Sequence, residues 1–377
     1  MPTVFEPFKD RGTPLDEQWK DFKALTRLSY DKDTVQPYTR CRVILMNGIE
    51  MASFLFLHEF ARMTYNEELK SILALLRRAE GEHQILVDWL NPANQTVLES
   101  TIGYEQLAVD LTANLARNEP DPIVKQQMDF ALIEDFDHLF RYAHLMKRIE
   151  GGDATRITHE MTDIAEGRPT FKEHRHPYDT LRGSYNKATA DIKTKLNQAT
   201  ITAGEQQTLL FYKTHGNMYA DPLARQLYAE IAQIEEDHVT AYESLADASM
   251  TWLERLVLYQ ANEAYNYLSC HETESHPEIK EVWKQLYHHE LEHFAIAAEL
   301  LRKHEGKNAH DFIPERIAPL VVLEPNKDYV KRIIREQKDW QSFNMEIMPE
   351  SQLPPDWPSF AYRKRIRGAG FPSEQLG

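Results

Sequence analysis

The sequence predicts an all-α protein made of two tandem up-and-down four-helix bundles, with an extension at each end of the chain. Three observations lead there. Glycine is scarce, with 14 in 377 residues, and Ala, Leu, Glu and Gln are abundant, a composition that favours helix. Acid and imidazole residues recur three apart, as Glu80/His83, Asp135/His138, Glu235/His238 and Glu290/His293, so each pair projects from one face of a helix. The pairs are themselves regularly placed: 80 to 135 and 235 to 290 are both 55, and 80 to 235 is 155. The chain contains itself twice.

Met46–Gly151 aligns with Ile201–Gly306 without a gap. Identities fall at Glu50/Glu205, Glu80/Glu235, His83/His238, Thr96/Thr251, Tyr104/Tyr259, Pro122/Pro277, His138/His293 and Gly151/Gly306. They coincide with the acid and imidazole positions and with helix starts and stops.

The elements follow in order. Residues 1–37 form an arm broken by Pro2, Pro7, Pro14 and Pro37, with one short helix near Leu15–Ser29. The first bundle occupies 38–151. Its first helix runs from Pro37 to about Met63, and Asn66 caps the second, which ends near Asn91-Pro92. A third helix spans about Ala93 to Asn118. Asp121-Pro122 opens the fourth, and Gly151-Gly152 stops it. Residues 152–183, rich in Gly, Pro and His, read as a looped connector. The second bundle, 184–306, repeats the pattern, with Asp221-Pro222 and His276-Pro277 as helix starts. In the extension 307–377 prolines surround one helix, about Asn326–Met345, and no chemistry is evident. Short connections imply antiparallel neighbouring helices.

Composition narrows the function. A net charge of −16 argues against a nucleic-acid partner. Cys41 and Cys270 are too few for a disulfide framework or a thiolate metal site, so two reduced thiols and a cytoplasmic location are expected. The N-terminus lacks the basic start and apolar run of a signal peptide. No uninterrupted apolar run reaches membrane length, so no membrane partner is expected.

The chemistry resides in the acids and imidazoles. The first copy offers Glu50, then Glu80 and His83, then Glu105, then Asp135 and His138 along its four helices. The second offers Glu205, then Glu235 and His238, then Glu263, then Glu290 and His293. Four carboxylates and two imidazoles turned into a helical core would cost several kcal/mol each if left unpaired. Two divalent cations cancel the four charges. Oxygen and nitrogen donors without thiolate suit iron or manganese. Paired metals with open positions can bind O2 or peroxide and take up electrons, so no catalytic residue beyond the metal ligands is needed. Other candidates have plainer readings. His174 and His176 fit capping or packing, Tyr104 and Tyr259 fit core tyrosines, and His58, His144 and His289 fit surface or helix-stabilising positions.

Over 46–151 and 201–306 the chain resembles the ferritin-like superfamily, and within it most closely the rubrerythrins. The motifs that carry the resemblance are Ala203-Gly-Glu205-Gln-Gln, Ile234-Glu-Glu-Asp-His238 and Glu290-Leu-Glu-His293. It implies a dinuclear iron site in each bundle, with Glu50 and Glu205 as terminal ligands. Glu80/His83, Asp135/His138, Glu235/His238 and Glu290/His293 would be bridging carboxylates with their imidazoles. It also implies reduction of hydrogen peroxide or O2 with electrons from an external donor. A diiron oxygenase acting on an organic substrate and a non-catalytic iron-binding or ferroxidase protein are the alternatives. The sequence departs from the rubrerythrin pattern in three ways. Each copy keeps one glutamate on its third helix, since Glu105 aligns with Gln260 and Glu263 with Ala108. Asp135 replaces a glutamate, and no Cys-x-x-Cys pairs supply a rubredoxin-like electron-donor module. Tandem copies are expected to pack as a pseudo-symmetric pair standing in for a homodimer, with further oligomerisation open.

Overall fold

The computed structural model describes residues 3–26 and 30–377. The protein is mostly helical. Eight long helices carry it: α1 (Pro37–Arg62), α2 (Glu67–Asp88), α3 (Val97–Asn118), α4 (Pro122–Glu150), α5 (Ile192–His215), α6 (Pro222–Ser244), α7 (Trp252–Thr273) and α8 (Pro277–Glu305). Their ends show the duplication. Thr96 and Thr251 each close a capping box with the glutamate three residues on, Glu99 and Glu254. Each threonine hydroxyl also donates to the last residue of the following helix, Glu150 at 3.0 Å and Glu305 at 2.9 Å. Gly151 and Gly306 both end their helices at φ 66°, a left-handed conformation that disfavours a side chain. Asn66, Asp121 and Asp221 cap as the sequence implies.

The chain divides into two compact units, and the division is not the expected one at 38–151 and 184–306. The first unit comprises Met1–Asn94, Asn186–Ala203 and Asp247–Val322, and therefore holds α1, α2, α7 and α8. The second comprises Gln95–Tyr185, Gly204–Ala246 and Leu323–Gly377, and holds α3, α4, α6 and the C-terminal half of α5. Each unit takes its first helical hairpin from one copy and its second from the other. Tight turns at 63–66 and 119–121 keep each hairpin together. The longer links at 89–96 and 245–251 lead into a different unit instead of folding back. Aromatic contacts repeat across the same exchange: Tyr104 stacks on Phe211 at 4.2 Å, and Tyr259 meets Phe56 edge-on at 4.9 Å.

The arm and the connector are also copies of one another. Gly12-Thr13-Pro14 and Gly167-Arg168-Pro169 stand 155 apart, and a turn of 3-10 helix follows each, at Leu15–Glu17 and Thr170–Lys172. Thr13 N–H donates to His288 O (2.9 Å), and Arg168 N–H donates to Ile133 O (3.1 Å), again at matching positions. A Cβ on Gly12 would lie 2.0 Å from His288 O, and one on Gly167 would lie 2.3 Å from Ile133 O. Only glycine lets these straps lie against α8 and α4.

Other boundaries shift for local reasons. The expected helix near Leu15–Ser29 is instead the turn at Leu15–Glu17 and a short helix at Phe22–Leu25; Ser29, like Met1 and Pro2 of the arm, lies outside the described residues. The second copy's first helix starts at Ile192 rather than near 184, and the Asp191 carboxylate takes the Lys193 N–H there. The tail helix is α9 (Lys327–Gln337), shorter than expected, because residues 340–349 pair as a hairpin, and Arg168 satisfies the Gln337 carbonyl left at its end. A hairpin of β1 (Trp340–Phe343) and β2 (Glu346–Pro349) follows. Asn344 and Met345, with φ of 49° and 67°, form its two-residue turn. The helix α10 (Pro358–Ile366) follows. Among the described residues α1 alone is long and apolar enough on average to cross a membrane, although charged residues such as Arg42 and Glu50 interrupt it, so no uninterrupted apolar run reaches that length. In the structure 61% of that stretch is buried inside the protein.

The capping glutamate of α7 gives a pH test. Burial pushes the Glu254 carboxyl up, but Lys187, the Thr251 N–H and Lys307 overcome this and hold it at about 2. A folded value below the usual 4.5 stabilises fully above that pH, and the contribution is lost as pH falls through about 2. Glu254→Gln is expected to cost about 1 kcal/mol at pH 7. In thermal unfolding, its deficit against the parent should shrink steadily below pH 4.5.

Candidate metal centres

All twelve expected ligands are at most 2% exposed, and each unit gathers six. In the first unit α1 brings Glu50, α2 brings Glu80 and His83, α7 brings Glu263, and α8 brings Glu290 and His293. Glu80 and Glu290 stand between the two imidazoles, each with one oxygen toward either ring. His83 Nδ1 lies 3.0 Å from Glu290 Oε1 and 3.5 Å from Glu80 Oε2. His293 Nδ1 lies 3.0 Å from Glu290 Oε2 and 3.2 Å from Glu80 Oε1. Glu50 Oε1 is 3.6 Å from His83 Nδ1 and accepts the Tyr267 hydroxyl. Gln260 donates to Glu263 (2.9 Å) and Glu80 (3.1 Å).

In the second unit α5 brings Glu205, α6 brings Glu235 and His238, α3 brings Glu105, and α4 brings Asp135 and His138. Here Glu235 alone spans the two rings, 3.0 Å from His138 Nδ1 and 3.3 Å from His238 Nδ1. Asp135, one methylene shorter than the corresponding Glu290, reaches His238 Nδ1 at 3.3 Å. The donors therefore fall into two groups sharing Glu235: Asp135, Glu205 and His238 on one side, Glu105 and His138 on the other. Glu105 accepts the Tyr212 hydroxyl.

These carboxylates have too few donors. Glu50 Oε2, Glu80 Oε2, His83 Nδ1 and Glu290 Oε1 make no hydrogen bond in the first unit. In the second, both oxygens of Asp135 and of Glu205, Glu105 Oε2, Glu235 Oε2 and His238 Nδ1 make none. Protons distribute unevenly as a result. Burial, with Glu80 and Glu290 adding to it, raises Glu50 well above the carboxylate range, and burial likewise raises Glu105, Glu205 and Glu263. Glu235 is held at about 2, because the His138 and His238 imidazoles beside it overcome the upward push of burial. Burial pulls His293 down, but Glu290 and Glu80 outweigh it and raise the ring to about 10. The same buried groups could hold a metal ion. The donor set, carboxylate with imidazole, fits iron or manganese.

The four rings are held from behind. With each Nδ1 turned inward, Nε2 faces an outer partner: His289 Nδ1 for His83 (2.9 Å), Gln18 Oε1 for His293 (2.9 Å), Glu173 Oε2 for His138 (2.9 Å) and Glu134 Oε2 for His238 (2.8 Å). Partners of this kind fix the tautomer and the orientation of a metal-binding imidazole. Sequence reasoning missed them. His289 is a buried ring partner rather than a surface residue, and the connector and arm supply Glu173 and Gln18. The tyrosines that reach the carboxylates are Tyr212 and Tyr267, while Tyr104 and Tyr259 pack as expected. His174 pairs with Glu230 at 3.3 Å and His176 caps the turn at Pro177, so neither joins a cluster. His58 and His144 lie edge-on against Phe54 and Phe140. The missed signal was the Gly-x-Pro pair at 12 and 167, which extends the offset of 155 into both straps.

No protein-family model, curated protein or solved structure matches the chain. The centres are therefore read from their own chemistry.

The strap contact is testable. Gly167→Ala drives a methyl into Ile133 O and displaces the segment carrying Glu173, and is expected to cost about 1–3 kcal/mol. Gly183→Ala, where an added Cβ meets nothing, should leave the urea midpoint unchanged.

Proposed function

We propose that the protein is a dinuclear-metal oxidoreductase of ferritin-like, rubrerythrin-like type, reducing hydrogen peroxide or O2 with electrons from an external donor. Each unit would be an up-and-down four-helix bundle holding two divalent ions, iron in the first instance and manganese as the alternative. The observation that supports this most is the set of unpartnered oxygens and Nδ1 atoms converging in each dry core. Acceptors facing acceptors need protons or cations between them, and two divalent cations would neutralise all four carboxylates at once.

The bound metals would supply reversible one-electron chemistry and open positions for a small oxidant. The chain's own part is to bind, orient and exclude. Glu80, Glu290 and Glu235, each facing two rings, would hold the ions from between the imidazoles, and the outer partners would keep each Nδ1 turned inward. Tyr267 and Tyr212 each restrain one carboxylate and offer a proton at the hydroxyl. Complete burial of all twelve ligands favours an oxidant no larger than O2 or peroxide over an organic substrate. Cys41 and Cys270 form no disulfide, which agrees with a reducing cytoplasmic setting.

Metal analysis of the full chain is expected to give about four ions, falling to about two in Glu80→Ala or in Glu235→Ala. Loaded anaerobically with ferrous iron, the protein should consume one hydrogen peroxide per two ferrous ions, each giving one electron as two protons are taken up and two waters form. A folded protein that holds no metal would overturn the reading. Oxidation by O2 with indifference to peroxide would leave the ferroxidase alternative.

A further inference from the structure

The two centres differ behind their histidines, at positions the duplication makes equivalent. Shifted by 155, Glu134 falls on His289, and Gln18 falls on Glu173. The outer partner of the α6 imidazole in the second unit is thus a carboxylate, while that of the matching α2 imidazole in the first is another imidazole. The outer partner carried by the strap is a carboxyl group in the second unit and an amide in the first.

The surroundings fix the Glu134 side of this difference. Glu134 is clamped by Arg168 at 2.6 Å and by Arg175 at 2.8 and 3.0 Å, all three side chains being buried, so it stays ionised. Arg168 and Arg175 come from the connector, whose counterparts in the arm are Thr13 and Lys20. In the first unit Gln18 is fixed by donating to the Thr13 carbonyl at 2.8 Å, which leaves its oxygen toward His293. His289 sets its Nδ1 2.9 Å from His83 Nε2, so an imidazole stands where the second unit has a carboxylate.

A carboxylate accepting an imidazole N–H draws the proton outward and leaves more electron density on the inward nitrogen, whereas an amide or a neutral ring does so weakly. From this we propose that the two centres form a graded pair. The second unit's centre binds metal more tightly and favours the oxidised ions, and the first unit's centre fills later and stays reduced at higher potential. Glu134, Glu173, Gln18 and His289 are positioning residues that set this order. The inference rests on the metal-binding reading above.

The test is anaerobic titration of the metal-free full-length chain with cobalt(II), followed by its visible absorption, and with iron(II), followed by redox titration. Two classes of about two ions each are expected, at least about tenfold apart in affinity. Glu80→Ala should remove the weaker class and Glu235→Ala the tighter. The inner ligands also differ between units, so the deciding variants alter only the outer shell. Gln18→Glu should tighten the weaker class about tenfold and lower its potential, and Glu173→Gln should loosen the tighter class by a similar factor. A gain in affinity from Gln18→Glu cannot arise from misfolding. Four ions binding with one constant, or a Gln18→Glu variant with unchanged affinity and potential, would overturn the gradation and leave metal binding intact. Failure to bind either metal would remove both.

Discussion

Everything in this molecule is arranged around an excess of acceptors over donors in two places that water does not reach. A helical core normally tolerates a carboxylate when a partner neutralises it, and here, among the described residues, four carboxylates in each unit share only a tyrosine hydroxyl, two imidazoles and, in the first unit, one glutamine amide. The remaining oxygens turn toward one another. Like charges this close cannot all be ionised in a low-dielectric interior, which is why Glu50 and Glu263 are driven up while Glu80 and Glu290 are held down by the rings beside them. Cations held there would resolve the conflict without adding any further protein group.

The outer layer explains the parts that look like mere extensions. Gly12 and Gly167 bring their straps into backbone contact with α8 and α4, and six residues further on each strap delivers the residue that holds an imidazole from behind. The inner ligands have been kept nearly alike in the two copies. The outer partners have diverged, and with Glu134 came two buried arginines stacked near Phe130 that have no equivalent in the other strap.

Much of the local structure was legible in the sequence, because caps and periodicity act over a few residues. Thr96 with Glu99, Asp121 with Pro122, and Gly151 mark helix ends by hydrogen bonds and φ angles that need no distant partner. The Glu-x-x-His pairs were legible for the same reason. What joins what was not. Gln18 meets His293 across 275 residues, and no local rule reports that. Nor do loop lengths at 89–96 disclose that the chain leaves one unit for the other. His289 was misread although a clue existed. It sits three residues after Leu286 and four before His293, both buried, so helical geometry already placed it on the inner face.

The exchange of hairpins between copies has a consequence for how the chain reaches its native state. Neither half, divided at Gly151, contains a complete ligand set, so no stable unit can form from the first half alone during synthesis. The second unit lacks its full set until His238 has been made, and the first until His293. Early hairpins must wait for distant partners to emerge, and a topology rich in long-range contacts slows folding.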